Sequence, residues 1–272
     1  MNQRTTTVDG RSIAWVHHTP SDGIQASGPA IVVLHGLGSS SREFRYLADH
    51  PTLRDREMIA VDALGFGDSD RPADWPYTIE AHADIIASVI RQVTTPPVAL
   101  VGHSMGGSIA IALTSRHPDI VERLIVAEPN LDPGVGTLSS HISRQSETRF
   151  VARGYQALVY QTEREAARGD AVAARFLVTL RQASPVALYR SAASLLADRT
   201  PTLREQFEGF RLPRAILWGA LTPPLAPPLL DAAIRHLTVA DAGHVMMIEN
   251  PDGFAQAVAD AVTHLPSPLE GS

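Results

Sequence analysis

Cysteine and lysine are both missing from this sequence of 272 residues. Without cysteine there is no thiol nucleophile, no Cys-ligated zinc, no iron–sulfur cluster and no disulfide framework. Without lysine there is no Schiff base, no pyridoxal phosphate lysine and no P-loop lysine. All 23 fixed cations are therefore arginines, and a formal net charge of -6 gives little attraction for nucleic acid or an anionic membrane. Long apolar runs are lacking too. No stretch approaches the roughly 20 residues of a membrane span, and residues 1–10 are polar, without the apolar core of a signal peptide. These absences point to a cytoplasmic protein whose partner is a small molecule.

What is present suits a large globular domain. A hydrophobic fraction of 44 % over this length supports one α/β domain carrying an insertion. Such a chain buries roughly three quarters of its unfolded surface and needs no staple. Residues 5–18 alternate around Asp9-Gly10, a dipeptide suited to the positive φ angles of a tight turn, and predict a β-hairpin. Short apolar runs then follow at 30–34, 58–61, 98–101, 123–127, 215–218 and 236–240. Most lack polar alternation, as strands covered on both faces do. Helical patterns at 78–92 and 108–116 lie between them, so the expected fold is a mostly parallel, doubly wound sheet of about eight strands.

Roughly eighty residues separate the fourth of these runs from the fifth, too many for a simple crossover. Segments 147–168, 171–183 and 185–198 are alanine-rich with apolar residues at helical spacing, which predicts an inserted helical cap. Pro129, Pro133 and Gly134 mark its entry and Pro213 its exit. The expected domains are thus a core of 1–130 and 211–272 and a cap of 131–210. The tail 266–272 is expected to fray.

Residues 98–107 read V-A-L-V-G-H-S-M-G-G: an apolar strand, a Gly-x-Ser-x-Gly turn and an apolar helix. In that context the motif is a nucleophile elbow. Small residues at Gly102 and Gly106 let strand and helix approach closely enough to raise Ser104 above the sheet edge. The other role for a serine before a helix, an N-cap, does not require glycine on both sides. A neutral hydroxyl attacks poorly and needs a base. Of eleven histidines, His244 is the best placed, on a loop between the strand-like 236–240 and the helix-like 251–262, at the C-terminal sheet edge where open α/β sheets keep their chemistry. His103 and His35 read as structural.

Four motifs in order, His35-Gly36, Asp62-x-x-Gly65-x-Gly67-x-Ser69, Gly102-His103-Ser104-Met105-Gly106-Gly107, and Gly243-His244 with Glu249-x-Pro251-x-x-Phe254, resemble those of the α/β-hydrolase fold family. The resemblance covers essentially the whole chain outside the cap. It implies a serine hydrolase framework, and no particular substrate. It also exposes a departure. Family members usually carry the acid of the triad in a pattern like Trp-Gly-x-x-Asp, and here Trp218-Gly219-Ala220-Leu221-Thr222-Pro223-Pro224 puts Thr222 at that position. Glu128, at the end of run 123–127, is the replacement. Its strand should lie between the nucleophile strand and the one ending at Trp218, and Pro129 should hold it extended. Some haloalkane dehalogenases and the lactonases that open the macrolide zearalenone resemble this arrangement, with their acid a glutamate after the same strand. Asp132 is the reserve acid; Glu249 reads as fixing the loop after the histidine.

The oxyanion hole expected from this framework uses the backbone amides of Leu37 and Met105, with Gly36 as the alternative to Leu37. No metal or organic cofactor is required. Phe150, Tyr155, Tyr160, Phe176, Leu177 and Tyr189 are the cap's aromatic and apolar candidates for a moderately hydrophobic substrate. All three tryptophans lie outside the cap, unlike the zearalenone-type enzymes. The leading reading is a carboxylic ester or lactone hydrolase with a Ser-His-Glu triad. Its alternatives are a carbon–carbon bond hydrolase or perhydrolase with the same triad, and a non-catalytic ligand-binding receptor, the last motivated by Thr222.

Overall fold

The computed structural model describes residues 2–20, 26–134, 136–223 and 227–265. Pro224 and the tail 266–272, for which fraying is expected, lie outside the described residues. The chain opens with β1 (Asn2–Val8) and β2 (Arg11–His18), paired antiparallel around Asp9 (φ 49°) and Gly10 (φ 73°). Two consecutive positive φ angles match the turn twist that a two-residue hairpin needs. The remaining strands are β3 (Ile31–Leu34), β4 (Met58–Val61), β5 (Val98–His103), β6 (Val121–Ala127), β7 (Arg214–Gly219) and β8 (Arg235–Val239). They form one sheet of order β1-β2-β4-β3-β5-β6-β7-β8, in which β2 meets β4 antiparallel and every pair from β4 onward is parallel.

The unalternated apolar runs have a direct cause in the two-sided core. Successive side chains of a strand point to opposite faces. Val32 and Leu34 of β3 join one cluster with helices α1 (Ile79–Val93) and α2 (Met105–Arg116). Ile31 and Val33 join a second, with Phe44 and Leu47 of a 3-10 helix (Ser41–Asp49). Both faces are dry, so neither parity can be polar.

Between β6 and β7 the chain builds α3 (Thr137–Ser143), α4 (Glu147–Arg149) running through a π-helical turn (Phe150–Gly154) into α5 (Tyr155–Ala167), α6 (Ala171–Leu180), α7 (Pro185–Leu196) and α8 (Leu203–Gly209). The seven-residue helices α3 and α8 are absent from the sequence reading, because two turns carry too few apolar repeats to set a period. Asp170, Ser184 and Thr202 cap α6, α7 and α8 by accepting a backbone amide hydrogen bond, which fixes where each begins. The insertion is tied to the core by the Ser184 amide donating to the Gly65 carbonyl (2.8 Å) and the Ile79 amide donating to Ser194 Oγ (3.0 Å). After β8 come α9 (Met246–Glu249) and α10 (Pro251–His264). Among the described residues no helix is long and apolar enough to cross a membrane.

Candidate active site

Ser104 sits between β5 and α2 with φ 53° and ψ -118°, a strained conformation for a residue with a side chain. The strain persists because the packing around it leaves no room to relax. A methyl group placed on Gly102 would stand 2.3 Å from the Gly106 carbonyl oxygen, and one on Gly106 would stand 2.3 Å from that of Leu34. Strand and helix therefore approach as only glycine permits, and the serine is lifted at the C-terminal sheet edge. The Ser104 amide donates to the Ala127 carbonyl (2.8 Å), which ties the elbow to the end of β6.

That end of β6 carries Glu128, and β6 lies between β5 and β7. The structure brings three distant side chains into one line. Ser104 Oγ stands 3.1 Å from His244 Nε2, and His244 Nδ1 stands 2.8 Å from Glu128 Oε2. A carboxylate only accepts, so Nδ1–H donates to it and Nε2 is left free to accept from the serine hydroxyl. Glu128 departs from expectation in one respect. Its φ is 44°, not extended, although its amide still donates to the Leu217 carbonyl (3.1 Å). The ladder bond keeps the main chain in the sheet while the positive φ turns the side chain over the crevice; the following proline did not prevent it. Asp132, the reserve acid, is not part of this group: both its oxygens are held by Arg204, Nε at 2.8 Å and Nη2 at 2.6 Å.

Glu128 is 4 % exposed, and burial by itself pushes its carboxyl up. Hydrogen bonds from His244, Thr222 and the Gly219 amide, the last at 2.9 Å to Oε1, outweigh burial and hold the carboxyl below its usual value. Thr222, where the resemblance leads one to expect an acid, thus hydrogen-bonds Glu128 instead. Because the folded carboxyl titrates below the unfolded one, near pH 4.3 for glutamate, its contribution to stability is complete above that pH and is lost as pH falls through the lower folded value. The unfolding free energy of Glu128→Gln is accordingly expected to fall less steeply below about pH 4.5 than that of the parent. Parallel acid limbs in urea titrations would contradict it.

The loop carrying His244 is pinned from three sides. Glu249 Oε2 accepts from the Gly243 amide (2.9 Å), Asn250 Nδ2 donates to the Ala240 carbonyl (2.8 Å), and His103 Nε2 donates to the carbonyl of His244 itself (2.8 Å). Burial, then the nearby His244, pushes the His103 pKa down to about 3, so His103 stays neutral and serves as a clasp. His35 is also structural: Nδ1 bonds the Gly36 carbonyl (2.8 Å) and Nε2 accepts from the Ala63 amide (3.0 Å). Burial pushes its pKa down, against the opposing charge of Asp62.

A cavity of about 870 Å³ opens over Ser104 and His244. Leu37 forms part of its wall, and Met105 opens α2, where the first backbone amides have no intrahelical acceptor. Of the cap candidates, Phe176 lines the cavity. Phe150 is buried against Tyr189, the Tyr155 hydroxyl donates to the Leu180 carbonyl (2.9 Å), and Tyr160 is 61 % exposed. With Phe176, the apolar wall includes Leu138, Leu158, Trp218 and Ile248. Glu43, on the 3-10 helix after the His35-Gly36 loop, also reaches this wall, where the Ser39 hydroxyl donates to it. The sequence offers a faint signal for that pair, an acid one helical turn after a serine. Among the described residues no cluster of His, Asp or Glu is arranged to hold a metal ion.

Residues 29–251 match the family model described as alpha/beta hydrolase fold. The chain is 31 % identical over 252 residues to the sn-1-specific diacylglycerol lipase ABHD11 of Mus musculus, a match covering 86 % of this chain and 80 % of that protein. It is 35 % identical over 126 residues to the probable lysophospholipase BODYGUARD 4 of Arabidopsis thaliana, covering 45 % of this chain but only 30 % of that relative's length. Among solved structures, the enol-lactonase of Burkholderia xenovorans LB400 superposes with a TM-score of 0.76 at 22 % identity, over 96 % of this chain and 100 % of that one. At that identity the superposition speaks for the fold.

Proposed function

The chain belongs to the α/β hydrolase fold family of enzymes, and from that premise we propose that it cleaves a carboxylic ester or lactone of a small, moderately hydrophobic substrate through an acyl-enzyme. The observation that carries the proposal is the unbroken hydrogen-bonded line from Glu128 through His244 to Ser104. In this reading His244 Nε2 takes the Ser104 proton as Oγ attacks the carbonyl carbon, and the amides of Leu37 and Met105 receive the developing oxyanion. The imidazolium, held by the Glu128 carboxylate, then protonates the departing alkoxide. A water deprotonated by His244 releases the acid and restores Ser104. With a lactone the alcohol formed in the first step stays tethered to the acyl group, and the product is one hydroxy acid. No metal or organic cofactor takes part. Segment 131–210 acts as a lid on the core of 1–130 and 211–272. The likeness to a diacylglycerol lipase supports an ester bond as the target.

The test uses a fluorophosphonate probe on the folded protein, followed by hydrolysis of a p-nitrophenyl ester. The expected result is labelling of the parent that vanishes in Ser104→Ala, with ester turnover in the parent. A folded parent that takes no label and turns over no ester supports the receptor reading instead.

A further inference from the structure

We propose that this cavity selects substrates that are uncharged or cationic and rejects carboxylates, with Glu43 setting the preference. The proposal rests on the reading above for the cavity being the substrate site. Its walls carry Glu43, Glu128, Glu165 and Asp170 and, among the described residues, not one arginine. Lysine is absent from the chain, and the stretches outside the description contain no arginine. A guanidinium or ammonium is the strongest partner for an anionic group, and neither stands on the described wall, whose imidazoles are those of His103, His141 and His244.

The four carboxylates differ in what they can do. Glu128 is committed to His244. Glu165 accepts from the Gln161 side chain (3.0 Å), and Asp170, which is exposed, caps α6 by accepting the Ala173 amide (3.0 Å). Both belong to the lid side; Asp170 is open to water, and Glu165, half-buried like Glu43, stands farther along the wall on α5. Glu43 is half-buried beside the oxyanion loop and holds the Ser39 hydroxyl. Burial pushes its carboxyl above the usual value, and the Ser39 hydrogen bond and the charge of Arg175 oppose that rise without cancelling it. Arg175 is itself exposed and is not on the wall. A carboxylate entering here would leave water, meet apolar walls of Leu158, Phe176 and Trp218, and face Glu43 with no arginine on the wall to pair with it. A neutral chain meets none of these costs, and a cationic or hydrogen-bond-donating group gains an acceptor in Glu43.

The experiment uses three p-nitrophenyl esters of one six-carbon acyl chain, ending in a methyl, a trimethylammonium or a carboxylate group, assayed at pH 8. The expected kcat/KM for the carboxylate ester is at least about tenfold below that of the methyl ester, with the trimethylammonium ester not disfavoured. Glu43→Gln is expected to narrow the carboxylate-to-methyl gap at least about threefold. Adding salt to about 0.5 M should narrow it in the parent as well, a measurement that needs no variant to fold. The same esters are titrated into Ser104→Ala by calorimetry, where the binding order should be the same. A carboxylate ester cleaved or bound as well as the methyl ester overturns the proposal, as does a gap that neither Glu43→Gln nor salt moves. If the parent cleaves none of the three but Ser104→Ala binds them in the stated order, the charge preference stands and the serine hydrolase reading falls.

Discussion

Glu128→Gln is expected to lower kcat on a p-nitrophenyl ester by a factor on the order of 10⁴, whereas Asp132→Asn stays within about threefold of the parent. The two carboxylates lie four residues apart and do different work. Glu128 Oε2 receives the His244 Nδ1 proton at 2.8 Å from a site 4 % exposed, where little water can take over its charge. Glutamine keeps the shape but not the charge that stabilises an imidazolium. If its amide nitrogen turns toward Nδ1, the ring's proton moves to Nε2 and no base faces Ser104. Asp132 holds Arg204 through both oxygens and touches neither His244 nor Ser104, so its loss falls on stability. Steady-state kinetics on both variants decide the matter, and full activity in Glu128→Gln removes the assignment.

The second large effect concerns the pair that moves the proton. Ser104→Ala and His244→Ala are each expected to lower kcat by about 10⁶, and the double variant to lose no more than either one alone. A hydroxyl without its base and a base without its hydroxyl are equally idle, so the losses overlap. What activity remains comes from the oxyanion amides and from binding, which both variants retain. The 3.1 Å contact between Oγ and Nε2 is the structural basis for this coupling. Losses that multiply in the double variant would mean that the two side chains act independently, contrary to a single proton relay.

Some of the candidate site was written in local sequence because local geometry determines it. The Gly102-x-Ser104-x-Gly106 turn needs glycine where backbones nearly touch, and that requirement is visible in the letters before any fold is known. His244 was found in the same way, from a loop between a strand-like and a helix-like segment. Glu128 was located by a gap, the threonine at 222, and by strand order, since β6 had to lie between β5 and β7. Its backbone was misjudged. The rule that a residue before proline is extended describes an isolated dipeptide, while here the ladder bond to Leu217 and the hydrogen bonds to His244 and Gly219 together impose φ 44°.

The cavity wall was the least legible part. Helical spacing says that Phe150, Tyr155 and Tyr189 share an apolar face with their neighbours, but not whether that face meets other helices or the substrate. The structure turns Phe150 and Tyr189 onto each other and leaves Phe176 on the cavity wall. The roles of Glu43 and Thr222 were hidden for the same reason.

From sequence alone, this protein is an α/β sheet with a serine elbow, a partnering histidine and no cation but arginine, because periodicity, glycine placement and composition act over a few residues. Tertiary structure alone decided the backbone that turns Glu128 onto the histidine, which residues of 131–210 face the cavity and what charge lines it. Those depend on contacts between segments as much as 140 residues apart, whose orientation no local pattern encodes.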